Sequence, residues 1–282
     1  MAIDKNVLSQ LRRFASAFRE ARDRGANESD TIMYLVKFFE EVLEYDSLKG
    51  EISKELAIKD RYCDIALKID GTVRLLVEGK AAGIKGLVDK HIEQAENYAS
   101  KAGIRWVALT NGIEWKLYHL SWAENEGITH DLAWQANILD EIEPDAEDLW
   151  EKLCLLSRSS VARGLLDEYW ERKKALSPGS VVRVLFCEEV LTAIRRELNR
   201  NAPARLEMED VFNAVRDTLS KEALLEAGDI GMRKRRKKRR KTTKTDAATT
   251  RTEGLEKPEE AEAELPSVTP CQKDSMQQSS DK

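Results

Sequence analysis

The most regular pattern of apolar and polar residues in this chain lies between residues 61 and 80. Apolar side chains take every second position in two runs on either side of Asp70-Gly71, namely Cys63, Ile65, Leu67 and Ile69, then Val73, Leu75 and Val77. Such alternation is typical of strands with one buried face. Because Asp-Gly is a frequent turn pair, the two runs predict a β-hairpin.

The residues at the tip decide the register of this hairpin. A two-residue turn at Asp70-Gly71 would pair Ile69 with Thr72 and would put the apolar residues of the two strands on opposite faces. A three-residue turn over residues 70–72 pairs Ile69 with Val73 and gathers the apolar residues on one face. We therefore predict the three-residue turn.

The same register decides which polar residues meet at the other end of the hairpin. Asp64 lies directly across from Glu78, and Lys80 follows on the face of Glu78. Facing carboxylates repel each other, and a divalent cation such as Mg²⁺ or Mn²⁺, completed by water and phosphate, removes that repulsion. A lysine beside the ion can orient or deprotonate an attacking water, while the metal stabilises the charge that grows on the phosphate. The three residues are therefore candidates for metal-dependent catalysis.

Further helices and strands are predicted around this hairpin. Apolar residues at helical spacing cover residues 4–24, about 27–43 and 87–101. Strand patterns lie at residues 51–59, 104–110, 113–120 and 127–134. We expect residues 1–140 to form an α/β domain in which helices flank a mixed sheet.

The second half of the chain has a different pattern. Amphipathic helices are predicted at residues 145–156, 161–176, 180–200 and 207–226. We expect residues 141–227 to form a helical module that packs on the first domain or mediates self-association. Residues 228–282 contain few large apolar groups and are expected to be disordered.

Charge is distributed unevenly along the chain. The net charge of the chain is −5. A run of nine basic residues contributes +9, so the rest of the chain sums to −14. The run consists of Arg233, Lys234, Arg235, Arg236, Lys237, Lys238, Arg239, Arg240 and Lys241. It is typical of a nucleic-acid-binding arm or a nuclear localisation signal, and a solvated tail without a partner is an alternative. The acidic remainder does not favour strong non-specific DNA binding by the body alone.

Composition excludes several classes of protein. The four cysteines and three histidines have no spacing typical of a disulfide framework or a zinc site. No apolar run reaches the length of about 18 residues that a membrane span needs, and the N-terminus lacks a signal core, so we expect a cytoplasmic protein. The sequence contains no Gly-x-x-x-x-Gly-Lys-[Ser/Thr] loop, so it does not encode a recognisable ATP-driven motor.

The central motif resembles that of a known family. Asp64, followed after thirteen residues by Glu78-Gly79-Lys80, is similar to the motif of PD-(D/E)xK nucleases. The closer resemblance is to the N-terminal nuclease domain of the type I restriction enzyme R subunit and its stand-alone relatives. Glu-x-Lys also occurs at residues 114–116 and 171–173, but only the first lies at the end of a buried strand opposite an aspartate.

Three other segments extend this resemblance over residues 27–120. A Glu-x-x-Thr helix start and a Leu-Gly-Tyr-like step correspond to Glu28-Ser29-Asp30-Thr31 and Leu43-Glu44-Tyr45, with glutamate in place of glycine. Gln94 and Tyr98 match a Gln-x-x-x-Tyr motif on the helix after the Glu-x-Lys strand. Leu109-Thr110-Asn111-Gly112 matches a Leu-Thr-Asn-Gly turn before an aromatic strand.

The resemblance implies a restriction-endonuclease-like fold and roles for individual residues. Asp64 and Glu78 would bind the metal, and Lys80 would activate water. Gln94 and Tyr98 would support the metal site and position DNA. Glu28 is a candidate for an additional metal-binding carboxylate, although a solvated first-turn glutamate favoured by the helix dipole is an equal alternative. Glu41, on the same helix, is a weaker candidate.

We therefore expect a Mg²⁺-dependent DNA endonuclease of the type I R-subunit N-terminal kind, acting in defence against foreign DNA. Its partners would be DNA, restriction-modification subunits and a second copy bound through the helical module. The alternative is a catalytically silent protein of nuclease fold that binds DNA or serves assembly.

Overall fold

The computed structural model describes residues 3–58, 61–123, 127–201 and 205–231. All of them belong to one compact unit. Of the predicted tail, residues 228–282, the part from residue 232 onward, with its basic run, lies outside the described residues. Within the described ranges, no helix combines the length and the apolar character required to cross a membrane.

A six-stranded mixed sheet forms the centre of the unit, with its strands in chain order. The parallel pair is β3 with β4, and the other neighbours are antiparallel. The strands are β1 (Ile52–Ile58), β2 (Arg61–Ile69), β3 (Thr72–Gly79), β4 (Trp106–Thr110), β5 (Glu114–Ala123) and β6 (Gly127–Asn137). The predicted fold class, a mixed sheet flanked by helices and followed by a helical part, is confirmed.

Helices cover both faces of the sheet because both faces carry apolar side chains. In the described part they are α1 (Lys5–Asp23), α2 (Glu28–Glu41), α3 (Glu93–Ala102), α4 (Ile138–Glu141), α5 (Ala146–Cys154), α6 (Arg158–Ala162), α7 (Leu165–Ala175), α8 (Pro178–Leu185), α9 (Glu188–Asn201), α10 (Met208–Asp217) and α11 (Lys221–Ala227). Helices α1, α2, α5 and α7 share one core with the sheet, and α3 packs on a second core. The strands are thus buried from two sides.

The hairpin of β2 and β3 has a different turn from the predicted one. Ile69 pairs with Thr72, so the turn contains only Asp70 and Gly71, which both have positive φ, 50° and 76°. A β-bulge then makes Arg74 an extra residue, because Lys68 pairs with Val73 while Leu67 pairs with Leu75. The three-residue turn is wrong, but beyond the bulge the register is the predicted one.

Two of the apolar residues of the hairpin do not share the predicted face. Ile65, Leu67, Ile69, Leu75 and Val77 belong to the core under α1 and α2, as predicted. Cys63 and Val73 instead pack with the core under α3. For Val73, the reason is that the extra residue reverses the alternation.

Helix α2 begins where its sequence allows a cap and lies very close to β3. The side chain of Asn27 accepts a hydrogen bond from the backbone N–H of Asp30 at 2.8 Å. A Cβ atom at Gly79 would lie 2.2 Å from Cδ1 of Ile32. Glycine in the Glu-Gly-Lys motif therefore permits the first turns of α2 to approach the end of β3.

The backbone just after α2, at Leu43-Glu44-Tyr45, adopts a conformation that suits glycine. Glu44 has a φ of 65°, which is the left-handed conformation that glycine adopts without strain. The following Tyr45 is buried, and its hydroxyl donates to the carbonyl of Leu156 at 3.0 Å. The backbone thus turns as a glycine would turn here, although a side chain is present.

The C-terminal helices are shorter than predicted. The helices expected at residues 161–176, 180–200 and 207–226 are each broken, so those predictions are wrong in length. Gly164, with a φ of 75°, separates α6 from α7 within the first of these ranges, and Ser220, which accepts a hydrogen bond from the backbone N–H of Ala223, starts α11 within the last. Helices α8 to α11 form a small core of their own. The predicted domain boundary near residue 140 stays a prediction.

Candidate active site

Strand pairing brings Asp64 and Glu78 to neighbouring positions at one end of the hairpin. The pair next to them is Ile65 with Val77. The backbone N–H of Gly79 donates to Oδ2 of Asp64 at 2.8 Å. The carboxylate of Asp64 is therefore held against the peptide that joins Glu78 to Gly79.

Lys80 lies between two carboxylates. Its Nζ donates to Oε1 of Glu78 at 2.7 Å and lies 3.6 Å from Oε1 of Glu28. The exposed fractions of the side chains are 5% for Glu78, 15% for Lys80 and 48% for Glu28. The cluster thus runs from a buried acid through a largely buried base to a half-exposed acid at the first turn of α2.

Glu78 is the most strongly perturbed group of this cluster. Burial raises its pKa to about 7, the nearby charge of Asp64 adds to this increase, and the hydrogen bond from Lys80 offsets it only in part. Its Oε2 is buried and receives no hydrogen bond from any described residue. A buried carboxylate oxygen without a donor is costly, so Glu78 is an acceptor with unused capacity.

The pKa of Lys80 is raised, although burial alone would lower it. Burial lowers it, but the hydrogen bond to Glu78 and the charges of Glu78, Glu28 and Asp64 together raise it above its ordinary value. Lys80 therefore holds its proton while its neighbours are ionised.

A groove connects the cluster with solvent on the side of α2. Its volume is about 320 Å³, at the small end of ligand-binding pockets. The lining residues are Glu28, Ser29, Asp30, Ile32, Met33, Lys54 and Asp64. Among the described residues, no three Asp, Glu, His or Cys side chains converge closely enough to hold a metal ion by themselves. Any bound ion would take further ligands from water or substrate.

Four of the predicted site residues are thus brought together, namely Glu28, Asp64, Glu78 and Lys80. Glu41 lies elsewhere, because it forms an ion pair with Arg13 of α1 and is about 20 Å along α2 from Glu28. The basic residues from Arg233 to Lys241 lie outside the described residues.

Gln94 and Tyr98 both lie on α3, behind the sheet. The side chain of Gln94 is outside the described part of the structure. Tyr98 is 2% exposed and packs in the core under α3, where burial and then the nearby Cys63 raise its pKa. Burial, and after it the charge of Glu78, raises the pKa of Cys63. Tyr98 therefore lies behind the cluster of Asp64, Glu78 and Lys80 and is shielded from solvent.

Thr31 is a residue of the site region whose role the sequence did not predict. Thr31 is fully buried, and its hydroxyl accepts a hydrogen bond from the N–H of Ala82 at 3.0 Å while it donates to the carbonyl of Asn27 at 2.9 Å. It thereby ties the start of α2 to the chain that leaves Lys80. The signal was the threonine of the Glu-x-x-Thr helix start.

Comparison with known proteins gives one match. Residues 31–131 match the family model described as type I restriction enzyme R protein N terminus (HSDR_N). No curated protein and no solved structure matched the chain. The matched range contains Asp64, Glu78, Lys80 and the Gln94 and Tyr98 motif. Since this family is the one that the motifs resemble, the resemblance drawn from them is confirmed by an independent match over residues 31–131.

Proposed function

We propose that the protein is a metal-dependent DNA endonuclease that hydrolyses phosphodiester bonds at the cluster of Asp64, Glu78 and Lys80. The observation that carries this proposal is the meeting of these three side chains at the end of a buried hairpin, within the segment that matches a restriction-enzyme family. A role in defence against foreign DNA, with restriction-modification subunits or a second copy as partners, would follow from that family.

The donor set fits a divalent cation with oxygen ligands. Glu78 has a buried oxygen without a hydrogen-bond donor among the described residues, and Asp64 lies beside it. One or two carboxylates, with water and phosphate oxygens as the other ligands, suit Mg²⁺ or Mn²⁺. Glu28 would be a further ligand or would hold Lys80 in place. When bound, the cation would stabilise the negative charge that develops on the phosphate.

Lys80 is suited to hold a water molecule or a phosphate oxygen rather than to remove a proton. Its pKa is raised by the acids around it, so it presents N–H donors at neutral pH. Glu78 accepts one of these hydrogen bonds and thereby fixes the direction of the ammonium group. Of the two roles considered for Lys80, orientation of the attacking water is therefore the one we propose.

Tyr98 would act from behind the sheet. Because its ring is buried against the core that contains Cys63, we propose that it supports the strand end that carries Glu78. The DNA contact predicted for the Gln-x-x-x-Tyr motif would then fall to Gln94.

The test is cleavage of supercoiled plasmid with Mg²⁺ or Mn²⁺. The wild-type protein is expected to nick the plasmid, and Asp64→Asn, Glu78→Gln and Lys80→Ala are each expected to reduce the rate by about 100-fold or more, because each removes a group from the reacting centre. Chelation of the metal is expected to abolish nicking.

The matched control is Glu171→Gln. Glu171 belongs to another Glu-x-Lys sequence, and it is exposed, with Lys174 as its ion-pair neighbour at 4.0 Å, so its variant is expected to cleave like the wild type. Equal nicking by all variants would assign the activity to another site or to a contaminant. DNA binding by the wild type without any cleavage would favour the catalytically silent alternative.

A further inference from the structure

The loop that follows Lys80 is attached to the sheet at several points. The backbone N–H of Lys80 donates to the carbonyl of Thr110 at 2.8 Å, and Thr31 holds Ala82 from the side of α2. From the other side, Nδ2 of Asn111 donates to the carbonyl of Ile84 at 2.8 Å. The loop is therefore fixed near its start by two different elements.

The second Glu-x-Lys sequence of the chain fixes the end of the same loop. The carboxylate of Glu114 accepts hydrogen bonds from the backbone N–H groups of Gly86 and Leu87, at 3.2 and 3.3 Å. Nζ of Lys116 donates to the carbonyl of Leu87 at 2.7 Å. Glu114 and Lys116 are two residues apart, so their side chains share one face of β5. Together they bind two backbone N–H donors and one carbonyl acceptor of the same turn of the loop.

The exposed surface of the loop differs in charge from the neighbouring cluster of acidic residues. Residues 81–88 contain no acidic side chain, and Gly83, Lys85, Gly86 and Val88 are exposed. The adjoining cluster contains Glu28, Asp64 and Glu78. A phosphate chain that approaches these acids meets repulsion, and a neighbouring lysine with accessible backbone lowers that repulsion locally.

We propose that residues 83–88 contact the DNA backbone beside the scissile phosphate, and that Glu114 and Lys116 are positioning residues that hold this loop in place. This inference rests on the proposed function, since it assigns the DNA contact of the same site. Phosphate contacts of this kind fix the register of a protein on DNA without reading sequence. Lys85 supplies the charge, and Glu114 acts through the backbone of the loop.

The test is the equilibrium affinity of the full-length protein for a labelled DNA duplex at several salt concentrations. Lys85→Ala is expected to weaken binding by about 3- to 10-fold near physiological salt and to lower the slope of log K against log salt by about one, as the loss of one phosphate contact does. The control is Lys101→Ala, which removes an exposed lysine near the C-terminal end of α3. This variant is expected to bind DNA like the wild type.

Glu114 is tested with two variants and a double variant. Glu114→Ala is expected to weaken binding as Lys85→Ala does, and the double variant is expected to bind no more weakly than either single one, because both act through one loop. Glu114→Gln keeps an acceptor oxygen for one backbone N–H, so it is expected to recover much of the affinity. If Glu114 only stabilised the fold, the losses of DNA affinity caused by Glu114→Ala and Lys85→Ala would add in the double variant.

Two results would overturn the inference. One is equal affinity and equal salt slope for Lys85→Ala, Lys101→Ala and the wild type, and the other is a wild type that does not bind DNA. Its failure is distinguishable from failure of the proposed function. Binding that depends on Lys85 without any cleavage would contradict the nuclease proposal alone, whereas cleavage with affinity independent of Lys85 would contradict this inference alone.

Discussion

A carboxyl group that is buried beside a second carboxylate keeps its proton to a higher pH than one in water. Glu78 is such a group, with a pKa of about 7 that results first from burial and then from Asp64. The protonated form is the one that folding favours. The folded protein therefore binds more protons at this residue than the unfolded chain between about pH 4.5 and 7.

This difference predicts a pH dependence of stability. The stabilising contribution of protonated Glu78 is complete below pH 4.5 and is lost as pH rises through 7. Compared with Glu78→Gln, the wild type is thus expected to lose up to about 3 kcal/mol of unfolding free energy between pH 5 and pH 8, at 1.36 kcal/mol per pKa unit. Denaturant unfolding of both proteins, without divalent cations, measures it. A difference between the two proteins that does not change with pH would contradict the prediction.

Much of the residue cluster could be predicted from sequence, because its members lie close along the chain or on neighbouring strands. Asp64, Glu78 and Lys80 followed from strand alternation, and Glu28 from the resemblance. The protonation of Glu78 could not be predicted, since it depends on burial under helices that are remote in sequence. The same is true of Tyr98, whose motif does not reveal that its ring is buried.

At the scale of elements, the hairpin shows the limit of pattern arguments. The alternation of apolar residues requires one extra residue between the tip of the hairpin and the pair of Asp64 and Glu78. It does not indicate where that extra residue lies. A third turn residue and a bulge at Arg74 produce the same register beyond Leu67. The sequence therefore predicted the neighbourhood of Asp64 and Glu78 correctly and the turn wrongly.

The second Glu-x-Lys sequence shows another limit of this kind. Glu114 and Lys116 have the spacing of Glu78 and Lys80, but their partners are backbone groups of a loop almost thirty residues earlier in the chain. Alternation indicates that two such side chains share a face. It does not indicate which segment that face contacts.

The packing of α2 on β3 predicts the effect of a substitution at Gly79. Gly79→Ala places a methyl group 2.2 Å from Cδ1 of Ile32, so the side chain of Ile32 must adopt another rotamer or α2 must move away from β3. We expect a loss of about 1–3 kcal/mol in unfolding free energy, which is typical of overpacking. A movement of α2 would also move Glu28 away from Lys80, and a fall in nicking activity that accompanies the loss of stability would show that the helix has moved.

Gly83→Ala is the matched control for stability. A Cβ atom at Gly83 meets no other atom within 4 Å, and the same methyl group is therefore expected to change the unfolding free energy by less than about 0.5 kcal/mol. Equal stability of the two variants in denaturant unfolding would contradict the close approach of α2 to β3.

At the scale of the whole molecule, the helical part divides by its packing. Leu149, Leu153, Leu166 and Trp170 of α5 and α7 belong to the core under the sheet, whereas α8 to α11 bury their apolar residues mainly among themselves. Amphipathic spacing predicted that these segments are helical. It could not predict the breaks between them or the core that each one joins, because both depend on capping and on distant partners.

The uneven charge of the chain predicts how the tail contributes to DNA binding. Deletion of residues 233–282 removes the nine clustered basic charges from a chain whose remainder is acidic. We expect a large loss of DNA affinity at low salt and a shallower slope of log K against log salt, because fewer counterions are released. The control is deletion of residues 242–282, which keeps the basic run and is expected to bind like the full chain. Equal affinity of both truncated proteins at low salt would rule out this role of the run.

The bulge at Arg74 has a consequence for engineering. It separates the tip of the hairpin from the end that carries Asp64 and Glu78, so that a change in loop length at Asp70-Gly71 can be compensated by loss or gain of one bulged residue. The tip is thus a suitable place for a short insertion, such as an epitope or a fluorophore attachment site.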